Sequence, residues 1–240
     1  MLDKWCTFDI ETSRIIPKVF EGDIFQFSPL QVSTAAVHVR RGDKEYTQSY
    51  FSRDDTGAIQ PRMSKADVKA YVEKLEFLRR SEFPVFSWCG TGFDWRILAE
   101  ESGELKLCAD LCLNHYDIAF QFLMTLGYFI SLETAAEKTG MKKFGGVHGA
   151  DAPQLWVDGQ YDLARAYVEQ DCRVTSAVVD LVLKDGEIRW VSRGGFKLQM
   201  RFDQLLTVKE CLNQLKMPDQ SWMTKKIVPS DLLAWTKEVK

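Results

Sequence analysis

Apolar and polar positions alternate in short runs near the start of the chain and fall into helical stripes further on. Trp5 to Ile10 is a short apolar, β-prone run and predicts a buried first strand. Residues 30–39 and 46–51 read as two more strands, joined through polar Arg40-Arg41-Gly42-Asp43-Lys44 as a hairpin. Ser64 opens a helix with Asp67 three residues on, and Val68, Val72, Leu75 and Leu78 make its single apolar stripe. Pro84 starts a strand through Trp88, followed by the loop Cys89-Gly90-Thr91-Gly92 and a helix from about Asp94 that Gly103 closes.

Beyond this point the pattern is mainly helical. Helices are predicted over 116–126 (ended by Gly127), 132–139 (opened by Ser131, closed by Gly140) and 162–184, with a Gly- and Lys-rich loop over 141–153. In the tail, Phe196, Leu198, Met200 and Phe202 alternate with polar residues, a half-buried strand by period two. Preceded by residues 187–192 and the turn Arg193-Gly194-Gly195, it predicts a second hairpin, with a short helix at 207–215 and a last helical turn after Ser230. Strands first, then helices alternating with strands, indicate an α/β fold with a mixed sheet. Residues 1–186 are expected to form the main domain. About 54 residues rarely bury enough surface to stand alone, so 187–240 is expected to be a hairpin-plus-helix extension packed on it.

Composition narrows the class. The chain has 240 residues, 45% hydrophobic and 27% charged, which is ordinary globular composition. Its apolar runs fall short of the roughly 18 residues that span a bilayer, and no secretory pattern opens it. A soluble, cytoplasmic protein without membrane attachment is expected. Net charge is −3, which argues against holding nucleic acid by bulk charge alone. Residues 187–240 carry ten Lys/Arg against six Asp/Glu, leaving the first 186 residues at −7. An acidic body with a basic tail suits a metal site beside a substrate-steering surface, and equally suits ordinary scatter of surface charge. The six cysteines never form C-x-x-C and read as small buried hydrophobes.

Three stretches carry candidate chemistry. Phe8-Asp9-Ile10-Glu11-Thr12 ends the first strand, and period two puts Asp9 and Glu11 on one face, about 7 Å apart. Two such carboxylates repel unless a cation lies between them, and oxygen ligands suit Mg²⁺ and Mn²⁺. Gly92-Phe93-Asp94-Trp95-Arg96 places Asp94 at a helix start, where capping alone would explain it. Tyr167-Val168-Glu169-Gln170-Asp171 puts Tyr167 and Asp171 at i, i+4 on one helix face, as a catalytic pair or as a partly buried structural one.

Taken in order, D-x-E, then F-D at a helix start, then Y-x-x-x-D in a late helix, the chain over residues 4–183 resembles the DEDD superfamily of 3′–5′ exonucleases. It is most similar to the DEDDy branch, seen in the proofreading domains of family B DNA polymerases and their stand-alone relatives. The His branch would need His where Ala166 stands. The resemblance implies a ribonuclease H-like mixed sheet flanked by helices and two divalent metal ions, Mg²⁺ or Mn²⁺. Asp9, Glu11, Asp94 and Asp171 would be the metal ligands: Asp9 bridging both ions, Glu11 and Asp171 on the first, Asp94 on the second. Tyr167 would orient the attacking water. The implied substrate is the 3′ end of single-stranded nucleic acid, DNA in preference to RNA, and proofreading would act for a polymerase partner in trans. The family often has Asn five residues before the second-motif Asp, where Cys89 stands here.

Further expectations attach to this site. Thr12 is expected to contact the terminal nucleotide, as that position does in relatives, and Phe93 and Trp95 to wall the pocket for a base. The loop containing Lys142 and Lys143 would grip the strand, or simply be a solvated connection. Two other functions start from the same residues. One is a nucleic-acid-binding module that keeps the exonuclease fold without turnover. The other is a haloacid-dehalogenase-like phosphatase with Asp9 as nucleophile, although no downstream Lys and paired-Asp set accompanies it.

Overall fold

The first apolar run becomes β1 (Lys4–Thr12), the middle strand of a five-stranded sheet, and both its faces are covered. The computed structural model describes residues 2–17, 22–142 and 149–238. β2 (Val32–Arg41) and β3 (Lys44–Tyr50) form the expected hairpin, turned at Gly42 with φ 58°. β2 lies antiparallel to β1, and the register slips by one residue after Glu11, leaving Ser33 as the extra residue of a bulge. α1 (Lys65–Arg80) starts where Ser64 accepts a hydrogen bond from the Asp67 N–H.

β4 (Val85–Ser87) pairs parallel with β1 and leads into α2 (Asp94–Ser102), which ends on left-handed Gly103, and then α3 (Leu105–Asn114). The 116–126 segment is not one helix. Its first two residues form β5 (Tyr116–Asp117), and α4 (Ile118–Leu126) begins only after the Asp117 carboxylate accepts from the Phe120 N–H. α5 (Leu132–Ala136) is shorter than its pattern predicts, though Ser131 caps it as expected. A helix that the sequence pattern does not predict, α6 (Ala152–Val157), begins in the expected loop, with Pro153 in its first turn, where a missing N–H costs nothing. α7 (Tyr161–Asp185) runs 25 residues and stops at left-handed Gly186.

The strand order is β3-β2-β1-β4-β5, a mixed sheet. α1, α2 and α3 pack on the face carrying Cys6, Phe8 and Ile10. α7 packs on the other face, where Ala36 of β2 meets Val168 and Cys172.

The tail forms the second hairpin, β6 (Glu187–Val191) and β7 (Lys197–Arg201), then α8 (Val208–Gln214) with a Thr207–Glu210 capping box. α9 (Pro229–Leu232) and a 3₁₀ stretch over Ala234–Glu238 follow. Ile188, Trp190, Met200 and Phe202 are buried with Phe122, Val174 and Val178, while Val208, Cys211, Leu233 and Trp235 join the cluster around α1–α3. Only half of the predicted apolar face of β7 is covered. Phe196 is 71% exposed and Leu198 37%, because no described element lies over the turn end of this two-stranded ribbon. No described helix is long and apolar enough to cross a membrane.

Candidate active site

Alternation along β1 sends Trp5, Thr7, Asp9 and Glu11 toward α7. Trp5 Nε1 donates to Ser176 Oγ at 2.9 Å and Thr7 Oγ1 to the Cys172 carbonyl at 2.8 Å. Each two-residue step up the strand is thus matched by one turn down the helix. The next step brings Asp9 and Glu11 opposite the turn that carries Tyr167 and Asp171. From the other face of the sheet, the Tyr71 hydroxyl donates to the Ala36 carbonyl at 2.7 Å and lies 3.4 Å from the Asp9 carbonyl, bracing the backbone beneath the carboxylate.

Tyr167 and Asp171 are both buried, at 1% and 6% exposure. Burial, together with the negative charges of Asp171, Glu11 and Asp9 and a hydrogen bond with Asp171, holds the Tyr167 phenol far above its ordinary pKa. The hydroxyl therefore stays protonated and able to donate. A Cβ built on Gly149 would sit 3.5 Å from it, so the chain entering α6 passes close over this hydroxyl.

The fourth carboxylate reaches the site from the turn between β4 and α2. Asp94 is the first residue of α2 and makes no cap; the cap position is Phe93, without a side-chain bond. Instead Asp94 Oδ1 accepts from the Ile10 N–H at 3.2 Å, joining α2 to β1 between Asp9 and Glu11. Burial pushes its carboxyl up to about 7, and the neighbouring Asp117 charge adds to this against hydrogen bonds from the Asp94 and Ile10 N–H groups.

Asp117 fixes the shape of that turn. Its Oδ1 accepts from the Cys89 N–H and its Oδ2 from the Thr91 N–H, both at 2.9 Å. Cys89 is held at φ 70°, a left-handed conformation that an Asn adopts more easily than a Cys. Gly90 is required by its close approach to the strand, since a Cβ there would stand 2.6 Å from Ser87 Oγ.

Asp9, Glu11, Asp94, Tyr167 and Asp171 all line one cavity of about 720 Å³, joined by Thr12 and Phe93. Trp95 does not. It is fully buried, its ring 4.6 Å from Phe8 and packed edge-on to His115, because the first turn of α2 points it into the core. The indole on the cavity wall is Trp88, half-buried, which the motif pattern does not single out. Lys142 is exposed and away from the cavity lining; its carbonyl accepts from Gln170 Nε2 at 2.8 Å. Lys143 lies outside the described residues.

Arg14, which no sequence motif marks, lines the same cavity. Its Nε is buried and has no hydrogen-bond partner among the described residues. Two residues beyond Thr12, it places a positive group beside the carboxylates. Ile16, Ile24, Ile130 and Leu132 supply apolar wall.

The donor set suits a hard divalent cation, being carboxylate oxygen throughout. Among the described residues no three His, Cys, Asp or Glu side chains form a ready ligand group, so the fit is one of donor chemistry, without a preformed cage. No protein-family model matches the chain, and comparison with curated proteins finds no match.

Proposed function

We propose that this protein is a metal-dependent 3′–5′ exonuclease of the DEDDy type, hydrolysing the terminal phosphodiester of a single strand, DNA in preference to RNA. The observation that carries the reading is the meeting of Asp9, Glu11, Asp94, Tyr167 and Asp171, drawn from three distant stretches, on one cavity wall. The mixed sheet flanked by helices agrees with the ribonuclease H-like architecture that the motif order implies.

Asp9, Glu11, Asp94 and Asp171 would hold two Mg²⁺ or Mn²⁺ ions. When bound, such ions supply an activated water and neutralise charge on the leaving oxygen. The protein does the rest. Tyr167 keeps its proton, and its one O–H, which donates to the Asp171 carboxylate in this structure, would turn to the attacking water once Asp171 holds a metal ion. Arg14 meets a phosphate oxygen with a buried donor, a charge-assisted bond for which the strand supplies the acceptor. Phe93 and Trp88 offer ring faces for a terminal base, and Thr12 a hydroxyl beside them. A cavity of this size falls in the range, roughly 300–1,000 Å³, of ordinary small-ligand sites.

The test is incubation with 5′-labelled single-stranded DNA and RNA, with Mn²⁺ or EDTA, beside Asp9→Ala. The expected result is a ladder shortening from the 3′ end that needs metal and is lost in the variant. Binding of both strands without shortening would reject the enzyme in favour of a binding module. A phospho-aspartate at Asp9 would favour the phosphatase chemistry instead.

A further inference from the structure

A second cleft, of about 740 Å³, lies beside the acidic cavity. One wall is the 3₁₀ turn Ile24–Phe27, the floor is the start of α2 at Gly92 and Arg96, and the far wall is the tail from Lys225 to Leu232. Ile24 lines both cavities, and the rings of Phe25 and Phe93 stand 6.4 Å apart across the boundary. The tail is fitted closely here: a Cβ on Gly92 would come 3.0 Å from Leu232 Cδ2.

The two cavities differ in charge. The first gathers four carboxylates and Arg14. The second presents Arg96, Lys225 and Lys226 against Asp23 and Asp231, and Asp23 already accepts from the Phe25 N–H. The Arg96 guanidinium lies 3.7 Å over the Phe25 ring and its Nε bonds Glu100, so this wall stacks a cation on an aromatic ring, with Glu100 offsetting part of its charge. Lys225 and Lys226 are exposed at its edge. A polyanion with π-faced groups at intervals matches such a surface; a small neutral substrate does not.

We propose that this cleft is the track for the nucleotides lying 5′ of the one being cleaved. It would bind the backbone of single-stranded nucleic acid through Lys225, Lys226 and Arg96, with a base against Phe25. The proposal rests on the exonuclease reading for the direction of the strand. It gives the C-terminal tail a substrate-binding role.

The experiment compares the wild type with the double variant Lys225→Glu/Lys226→Glu in two assays. The first is fluorescence anisotropy with a 5′-labelled 12-mer in EDTA across a salt series, which needs no catalysis. The expected result is about tenfold weaker binding and a log–log salt slope reduced by about 1.4, roughly 0.7 for each phosphate that is no longer neutralised. In the same assay Asp231→Asn, which removes a negative charge from the cleft, binds more tightly. The second assay measures KM with Mn²⁺, where the rise is about tenfold greater for the 12-mer than for a dinucleotide too short to reach the cleft. Equal affinities and slopes in the first assay, or equal KM rises for both lengths, would overturn the track. Absence of any shortening with a clear binding difference would overturn the exonuclease reading and leave the cleft standing as a single-strand site.

Discussion

The two halves of the acidic cavity are built differently. One half, Asp9 and Glu11 on β1 facing Tyr167 and Asp171 on α7, stands on two long regular elements pinned together by Trp5–Ser176 and Thr7–Cys172. The other half, Cys89 to Asp94, is an irregular turn whose shape comes from Asp117 on β5, from a left-handed Cys89 and from the close approach of Gly90 to Ser87. Regular elements position side chains by periodicity, so changing a side chain there alters chemistry and leaves the frame. A turn positions its side chain by particular hydrogen bonds, so the frame depends on residues that never touch a substrate.

The strongest break of this contrast comes from the β1–α7 half. Asp9→Asn and Asp171→Asn should each lower kcat by on the order of a thousandfold, several kcal/mol of transition-state stabilisation, while the urea midpoint moves little. Near-normal turnover in either purified variant would remove the basis of the proposed exonuclease function. Asp117→Ala should do the reverse. It strands three backbone N–H groups in the interior and should cost about 3 kcal/mol in stability by urea unfolding. Activity should fall because Asp94 is displaced, with KM for metal rising as well. If Asp117→Ala is as stable as the wild type, the turn is held by something else.

Next in size is a pH effect confined to the turn half. The Asp94 carboxyl titrates near 7 in the folded chain and near 3.8 unfolded, so the folded state holds its proton more tightly. Between about pH 4 and 7 the metal-free protein should therefore lose stability as pH rises, and Asp94→Asn should lack this component. Metal binding runs the opposite way. Affinity for Mg²⁺ should rise through pH 7 as the proton leaves, and urea midpoints of both proteins across that range, with and without Mg²⁺, check both signs. The smallest effect is expected at Cys89. Cys89→Gly relieves the left-handed strain at φ 70° and loses part of that gain to the flexibility of the unfolded chain. A net stabilisation of less than about 1 kcal/mol is expected, seen as a small rise in melting temperature.

What the sequence made legible follows the same division. Period two on β1 and the i, i+4 spacing on α7 are geometric rules, and they put Asp9 with Glu11 and Tyr167 with Asp171 without knowledge of the rest. The caps at Ser64 and Ser131 and the stops at Gly103 and Gly186 were legible for the same local reason. Residues that act across the fold were not. Asp117 sat in a segment whose apolar pattern read as one helix, and nothing local says that its carboxylate reaches Cys89 and Thr91. Trp95 and Trp88 both flank the second motif, and only the direction of the first turn of α2 decides that Trp88 meets the cavity while Trp95 enters the core. Arg14 followed the first motif within two residues, yet no periodicity extends past the end of β1 to aim it.

The pins between β1 and α7 also set a schedule. Thr7 and Cys172 are 165 residues apart in the chain. Closing a loop of that length costs about 4–5 kcal/mol of chain entropy before any contact across it repays the loss. During synthesis Asp171 is made 162 residues after Asp9 (171 − 9). A chain cut before α7 thus carries three of the four carboxylates, and the cavity gains Asp171 and Tyr167 only once α7 docks. Assembly of the site should accordingly be among the last events of folding, detectable as metal-dependent protection that appears after the β1–β2–β3 meander has formed.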